Sequence, residues 1–297
     1  MHYILDPLYY AVSWVLVQFH SFAGLVTKNE SVRWSASIVL LVVLIRIILI
    51  PLFVRQIKSQ RALTALQPHM KEIQKRYKDD RQKQSEEMMK LYKEHKTNPL
   101  ASCFPILAQA PIFFALFTVL NGISTHKPHG LMRGEVLASA DNATFFGANL
   151  SSRFIGSGNT TTKVVTILLI LFMSASTFST QRQLMTKGMP KMDSSNNMML
   201  QQQKIMLYVF PVIFAISGVN FPVGVLLYWG TTNLWTFGQQ MYVIKRNPTP
   251  GSPAYDEWKK KQDKKNKNEV VSEDTQGSVA VEEPKGQRQQ PKRKKRR

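Results

Sequence analysis

The run VVLIRIILIP, Val42 to Pro51, sets a single arginine inside an aliphatic stretch. A guanidinium at the centre of a membrane-spanning helix costs about 2.5–3.5 kcal/mol on insertion scales, so Arg46 needs compensating company. It stands eight residues before Val54, where the apolar stretch ends. That is about 12 Å of helix at 1.5 Å per residue, a strained reach for snorkelling to the headgroups. An ion pair is the usual alternative, but the long apolar stretches of this chain contain neither Asp nor Glu. Water and neutral polar side chains remain: Gln109 between Pro105 and Pro111, the run Ser174, Ser176, Thr177, Ser179 and Thr180, and then Thr231, Thr232, Asn233 and Thr236. A guanidinium stays charged and offers five donors, so a wet pocket around it is a positively charged cavity suited to acceptors or negative charge. For any one Ser or Thr, helix packing is the simpler reading, and Tyr228 and Trp229 fit either groove walls or headgroup-level anchors.

The elements that must position these groups follow from hydropathy. Four long stretches lack acidic residues: Ser35 to Val54, Leu100 to Ile123, Val164 to Gln181, and Ile205 to Ile244, the last interrupted by NFPVG at Asn220 to Gly224. A bilayer core of about 30 Å needs roughly 20 apolar helical residues. The expectation is an all-α polytopic membrane protein with a five-helix transmembrane core, its spans at residues 35–54, 98–123, 163–183, 205–221 and 225–244.

Charge orients these spans, because Lys and Arg accumulate on the cytoplasmic side. Of the 39 basic residues, 12 lie in residues 55–97, 4 in 182–204 and 16 in 245–297, against 2 in 1–34 and 4 in 124–163. The rich segments alternate with the poor ones, so the connections 55–97 and 184–204 and the tail 245–297 are read as cytoplasmic. The protein is then a multi-pass protein of a plasma membrane with its C-terminus inside.

Residues 55–97 carry Leu63, Leu66, Met70, Ile73 and Tyr77 at three- and four-residue intervals, a heptad seam. After KDDR, Met88, Leu91, Tyr92 and His95 continue at compatible spacing. This predicts a cytoplasmic antiparallel helical hairpin, either a plain connector or a docking device for an incoming chain; a joint over forty residues long favours the second. Residues 1–34, with Tyr9, Tyr10 and Trp14 beside Asp6 and Gln18, read as an outer-face amphipathic helix and lead-in in preference to a sixth span. No secretory signal is evident, and the first methionine is expected to remain. The extracytoplasmic loop 124–162 reads as polar and mobile; its sequons at Asn142, Asn149 and Asn159, and the one at Asn29, carry little weight. The tail 245–297 reads as disordered and basic, able to neutralise ribosomal RNA phosphates or anionic lipid headgroups. Met185, Met189, Met192, Met198 and Met199 in the inner loop form a flexible apolar set whose grouping fits chance equally well. Cys103 stands alone and is given a packing role.

No Ser-His-Asp order, metal-ligand cluster, P-loop or dinucleotide fingerprint occurs; His126 and His129 fit polar loop filling better than a metal site. The expectation is therefore no catalytic residue, no metal and no cofactor, and a protein that is not an enzyme. The absence of intramembrane carboxylates and of an obvious inverted repeat weakens secondary transport. A small-anion transporter or channel using Arg46 remains the alternative.

Four stretches carry a family resemblance: IRIILIPL; LQPHMKEIQKRYKDDRQKQSEEMMKLYKEHKTNPLASCFPILAQAPIFFAL; QQQKIMLYVFPVIF; and FPVGVLLYWGTTNLWTFGQQ. They lie within residues 4–245, and the chain resembles the YidC family of membrane protein insertases, which has mitochondrial and thylakoid relatives. It looks like the short, Gram-positive bacterial type, without the large outer domain of many Gram-negative members. The resemblance implies five spans around a hydrophilic groove open to cytoplasm and lipid, with Arg46 as its basic residue and Gln109, Tyr228 and Trp229 at groove positions. Asn233 joins this set from the polar run on the fifth span. Val42 departs from relatives that carry a hydroxyl there. The implied function is that of an insertase and chaperone that receives hydrophilic segments of nascent membrane proteins and releases apolar ones to lipid, without nucleotide hydrolysis. The implied partners are nascent chains, the ribosome through the tail, the Sec translocon and anionic lipids, and a monomer suffices.

Overall fold

A computed structural model describes residues 2–95, 97, 104–189 and 204–276. Cys103 and the methionines at 192, 198 and 199 lie outside the described residues. The chain is mostly helical: α1 (His2–Ala23), α2 (Glu30–Ile48), α3 (Ile50–Ala65), α4 (Gln67–Arg76), α5 (Arg81–Glu94), α6 (Phe104–Ser124) and α7 (Gly134–Asn142) come first. A two-stranded antiparallel hairpin of β1 (Thr144–Phe145) and β2 (Ala148–Asn149) follows, pairing Thr144 with Asn149 and Phe145 with Ala148. Then come α8 (Thr160–Gln183), π-helical turns at Leu184–Gly188 and Ile205–Val209, α9 (Phe210–Gly218), α10 (Val223–Arg246) and α11 (Pro253–Gln276).

Local chemistry sets the helix ends. Asn29 caps α2 by accepting from the N–H groups of Ser31 and Val32 at 3.0 and 3.2 Å, and Asn159 caps α8 through Thr161 N–H at 2.8 Å. Two of the four sequons are thus helix caps. Helix α2 stops at Ile48 because Pro51 has no N–H to give the carbonyl of Ile47. The turn before α10 uses a different device: Val223 N–H and Gly224 N–H donate to the carbonyls of Ser152 and Leu150 at 2.9 and 2.8 Å. Orphan donors of the helix start are satisfied by the preceding loop. Leu150 O lies 3.3 Å from where a Cβ on Gly224 would stand, so a larger residue would push the loop away.

The core joins α1, α2, α6 and α10, with Leu16, Trp34, Ile38, Leu116, Val223 and Val225 almost fully buried. Helix α8 packs along α10 and α9. The outward faces of α8 and α9 are apolar as well: Leu168, Leu171, Val212 and Ile216 are more than half exposed. Helices hydrophobic on every side belong in lipid.

By length and hydropathy alone, two helical segments among the described residues could cross a membrane, Glu30–Ile48 and Thr160–Gly188. The other three expected spans do not reach that criterion among the described residues. In α6 the stretch Gln109–Ser124 is a shorter apolar helix. Residues Ile205–Gly218 are short and begin in a π-turn. Helix α10 carries Thr231, Thr232, Asn233, Gln239 and Gln240 among its apolar residues.

Two other expectations are corrected. Residues 124–162, read as a polar and mobile loop, hold α7 and the β-hairpin and bury Met132, Ala140, Ala143, Ala148 and Leu150. Small apolar residues without helical or strand periodicity gave no hint of this. The tail is helical over Pro253–Gln276, starting where Tyr255 N–H meets Ser252 Oγ at 3.3 Å. The Lys- and Glu-rich composition that argued for disorder also has good helix propensity. Helices α4 and α5 pack on each other: Leu66 and Leu91 are buried, and Tyr92 Oη lies 3.8 Å from Met70 Sδ. Burial pushes the Tyr92 phenol above its usual pKa, so it stays a neutral donor there.

Candidate functional site around Arg46

Arg46 lies in the last turn of α2, just before the break that Pro51 imposes. The partial negative charge of a helix C-terminus favours a cation there, so the break supplies part of the compensation the sequence seemed to lack. The side chain is only 7% exposed. Its Cζ sits 5.6 Å from the centroid of the Phe53 ring, one helix further on, within cation–π range. Tyr228 is its polar neighbour from α10. Among the described residues no carboxylate pairs with Arg46; the described ion pairs are His20 and Arg33 with Glu30, Lys90 with Glu87, and His126 with Asp141. Metal-ligating clusters of three or more His, Cys, Asp or Glu are absent among the described residues.

The five singled-out residues separate into groups. Tyr228 is buried, lies within electrostatic range of Arg46, and has Thr232 one turn along as a second polar neighbour. Trp229, about 100° further round α10, turns into an aromatic cluster. Its ring meets Phe214 edge-on at 4.7 Å, Phe221 at 5.6 Å and Phe113 at 5.9 Å. Phe113 also meets Tyr228 at 6.3 Å, so α6 bridges the two. Asn233 points to α8, where its Nδ2 donates to Thr177 Oγ1 at 3.2 Å and to Met173 O at 3.5 Å. It acts as a tie between helices. Gln109 lies half-buried on α6, and no described hydrogen bond joins it to the other four. Ser176, Thr180, Thr231 and Thr236 each donate to a carbonyl three or four residues back on their own helix. Those hydroxyls satisfy backbone, as the simpler reading had it.

A second feature was not singled out from the sequence. A cavity of about 750 Å³ opens between the α2–α3 face and the C-terminal half of α10. Val39, Val43, Phe53, Val54 and Ile57 form one wall, Thr231, Leu234, Trp235, Gly238 and Tyr242 the other, and Lys58 and Arg61 stand on α3 at one end. None of the five singled-out residues lines it. The signal was present on one wall: Thr231, Leu234 or Trp235, Gly238 and Tyr242 recur at three- and four-residue intervals, which places them on one face of α10.

Comparison with known proteins explains the architecture. A family model described as 60Kd inner membrane protein matches residues 26–250. The chain belongs to that family. A relative from Streptomyces avermitilis named membrane protein insertase YidC is 59% identical over 253 residues, covering 82% of this chain and 59% of its own length. A protein of the same name from Tropheryma whipplei is 33% identical over 311 residues, covering 99% of this chain and 95% of its own. The crystal structure of an active YidC insertase with its first transmembrane domain resolved is similar at TM-score 0.50 and 26% identity. That match covers 80% of this chain and 46% of the solved one. The chain thus spans less than two thirds of the Streptomyces relative and under half of the solved YidC chain. Family membership makes this a bacterial membrane protein and accounts for the apolar outer faces of α8 and α9.

Proposed function

We propose that this chain is a membrane protein insertase and chaperone. The hydrophilic part of an incoming nascent chain rests transiently beside Arg46, and its apolar segment passes into lipid. The observation that carries the reading is Arg46 itself, buried in an apolar helix with an aromatic ring and a phenol for company and no described carboxylate. A cation held this way attracts acceptors and negative charge without binding them through a fixed counter-ion. Burial of the passenger's apolar segment in lipid supplies the driving force, helped by the membrane potential acting on acidic residues, and no residue need form a covalent bond.

In this reading α2 with the start of α3, α6, α8, the Ile205–Gly218 segment and α10 are the five spans. Helices α4 and α5 and the C-terminal tail face the cytoplasm, where most of the basic residues lie. The α4–α5 pair receives the passenger, and the tail contacts ribosomal RNA or anionic headgroups. The Sec translocon is a further partner, and a monomer suffices. Gln109, Tyr228 and Trp229 line the groove with Arg46, while Asn233 secures the wall by tying α10 to α8.

Reconstitution of the full chain into liposomes tests this. Wild-type protein is expected to insert a small single-span substrate, and Arg46→Ala to insert it markedly less. Uptake of a small anion with no insertion would overturn the reading in favour of a transporter or channel.

A further inference from the structure

We propose that the cavity between α2–α3 and α10 is a binding site for one anionic diacyl phospholipid, its acyl chain inside the cavity and its phosphate at Lys58 and Arg61. The proposal rests on the membrane placement of these helices, which family membership supports, and not on the insertion reading.

The shape of the cavity fits one leaflet. From Thr231 to Asn247, both lining residues, α10 rises about 24 Å at 1.5 Å per residue. Half a bilayer with its headgroup region is about 20–22 Å thick. The volume of about 750 Å³ falls within the range of about 300–1,000 Å³ that ligand pockets span.

The wall chemistry selects an acyl chain over a polypeptide. Val43, Val54, Ile57 and Leu234 present only hydrocarbon, and two of the polar side chains on the α10 wall already have partners. Trp235 Nε1 donates to Gln239 Oε1 at 3.0 Å, and Thr231 Oγ1 donates to Leu227 O at 2.8 Å. A peptide backbone in this cavity would lose its hydrogen bonds to water and find few replacements.

The cations occupy one end only. The guanidinium of Arg61 donates to the carbonyls of Asn247 and Pro248, which fixes it at the C-terminus of α10. Its Nε is buried without a hydrogen-bond partner among the described residues, so the two carbonyls hold the guanidinium in place but do not neutralise its charge. Lys58 lies one turn before it on α3 and is in no described ion pair. A phosphate diester answers both groups at the depth where headgroups sit.

Native mass spectrometry of the delipidated full chain tests the site, using phosphatidylglycerol and phosphatidylcholine with identical acyl chains. One phosphatidylglycerol is expected to bind roughly tenfold more tightly than phosphatidylcholine. Lys58→Gln should remove most of that preference. Gly238→Leu should weaken both lipids, because a Cβ at Gly238 has nothing within 4 Å and the larger side chain grows into the cavity without disturbing packing. Equal binding of the two lipids, or binding unaffected by both substitutions, overturns the proposal. Displacement by soluble glycerol phosphate would reassign the cations to a free phosphate. A photoreactive amino acid at position 238 that captures an apolar substrate span instead of lipid would reassign the cavity to the passenger. Lipid retention is read on purified protein without any insertion assay, so its failure and a failure of insertion are separate results.

Discussion

The end of the bundle that carries α7 and the β-hairpin is closed by polar bonds between distant segments, whereas the end that carries α3 and the last turns of α10 borders a cavity. At the first end, Trp34 Nε1 donates to Ser139 Oγ at 2.9 Å, and Ser139 Oγ donates to Glu30 at 2.9 Å. Glu30 also meets His20 at 2.8 Å and Arg33, and the His20 ring stacks on Trp34 at 4.2 Å. Leu131 N–H donates to Ser13 Oγ at 2.9 Å, which ties the loop to α1. At the second end, Arg61 on the carbonyls of Asn247 and Pro248 ties α3 to the end of α10. The two ends are thus built differently: one from many mutually satisfied polar groups, the other from largely apolar walls with Lys58 and Arg61 at one edge.

Substitutions can break this contrast. The largest loss of stability is expected for Trp34→Ala, about 3–5 kcal/mol, because Trp34 is 2% exposed and anchors both the stack and the hydrogen-bond chain. Denaturant unfolding in detergent measures it. Gly130→Ala should cost about 1–3 kcal/mol, since Gly130 has φ of +57° and a Cβ there would stand 2.2 Å from Ser13 Oγ. The same unfolding assay should place it below Trp34→Ala. At the other end the pattern should reverse. Arg46→Ala should change stability by less than about 1 kcal/mol while lowering insertion in liposomes roughly tenfold, because it removes a buried charge that no described carboxylate balances. Arg46→Lys should retain most of the insertion activity; loss equal to that of Arg46→Ala would mean that the planar fork matters and not the charge. The smallest effect, opposite in sign, is expected for Gly238→Ala, a gain of about 0.5–1 kcal/mol from reduced backbone entropy in an open helical position.

Legibility in the sequence follows the same divide. Arg46 could be read directly, because one charge in an aliphatic run is visible without any knowledge of neighbours. Its compensation could not, because cation–π contact with Phe53 and the end of α2 depend on a break whose only sign is Pro51. Thr177 and Asn233 were both visible as polar residues in apolar stretches, but their mutual hydrogen bond depends on how α8 and α10 meet. The cap built by α7 and the hairpin escaped notice because Ala140, Ala143 and Ala148 are small, and burial of small residues leaves little trace in hydropathy. Lys58 and Arg61 lay hidden in a segment, residues 55–97, that holds 12 basic residues. Only the facing wall of α10 distinguishes them.

The break at Leu49 also has a mechanical consequence. An unbroken helix from Glu30 to Ala65 would be a rod about 54 Å long at 1.5 Å per residue, with a lever arm reaching well outside any bilayer. Force applied to the α4–α5 pair would then torque the membrane anchor directly. With the hydrogen-bond ladder interrupted at Pro51, beside Arg46, bending costs least at Leu49, and a load on α3 need not be passed on in full to the Trp34 end.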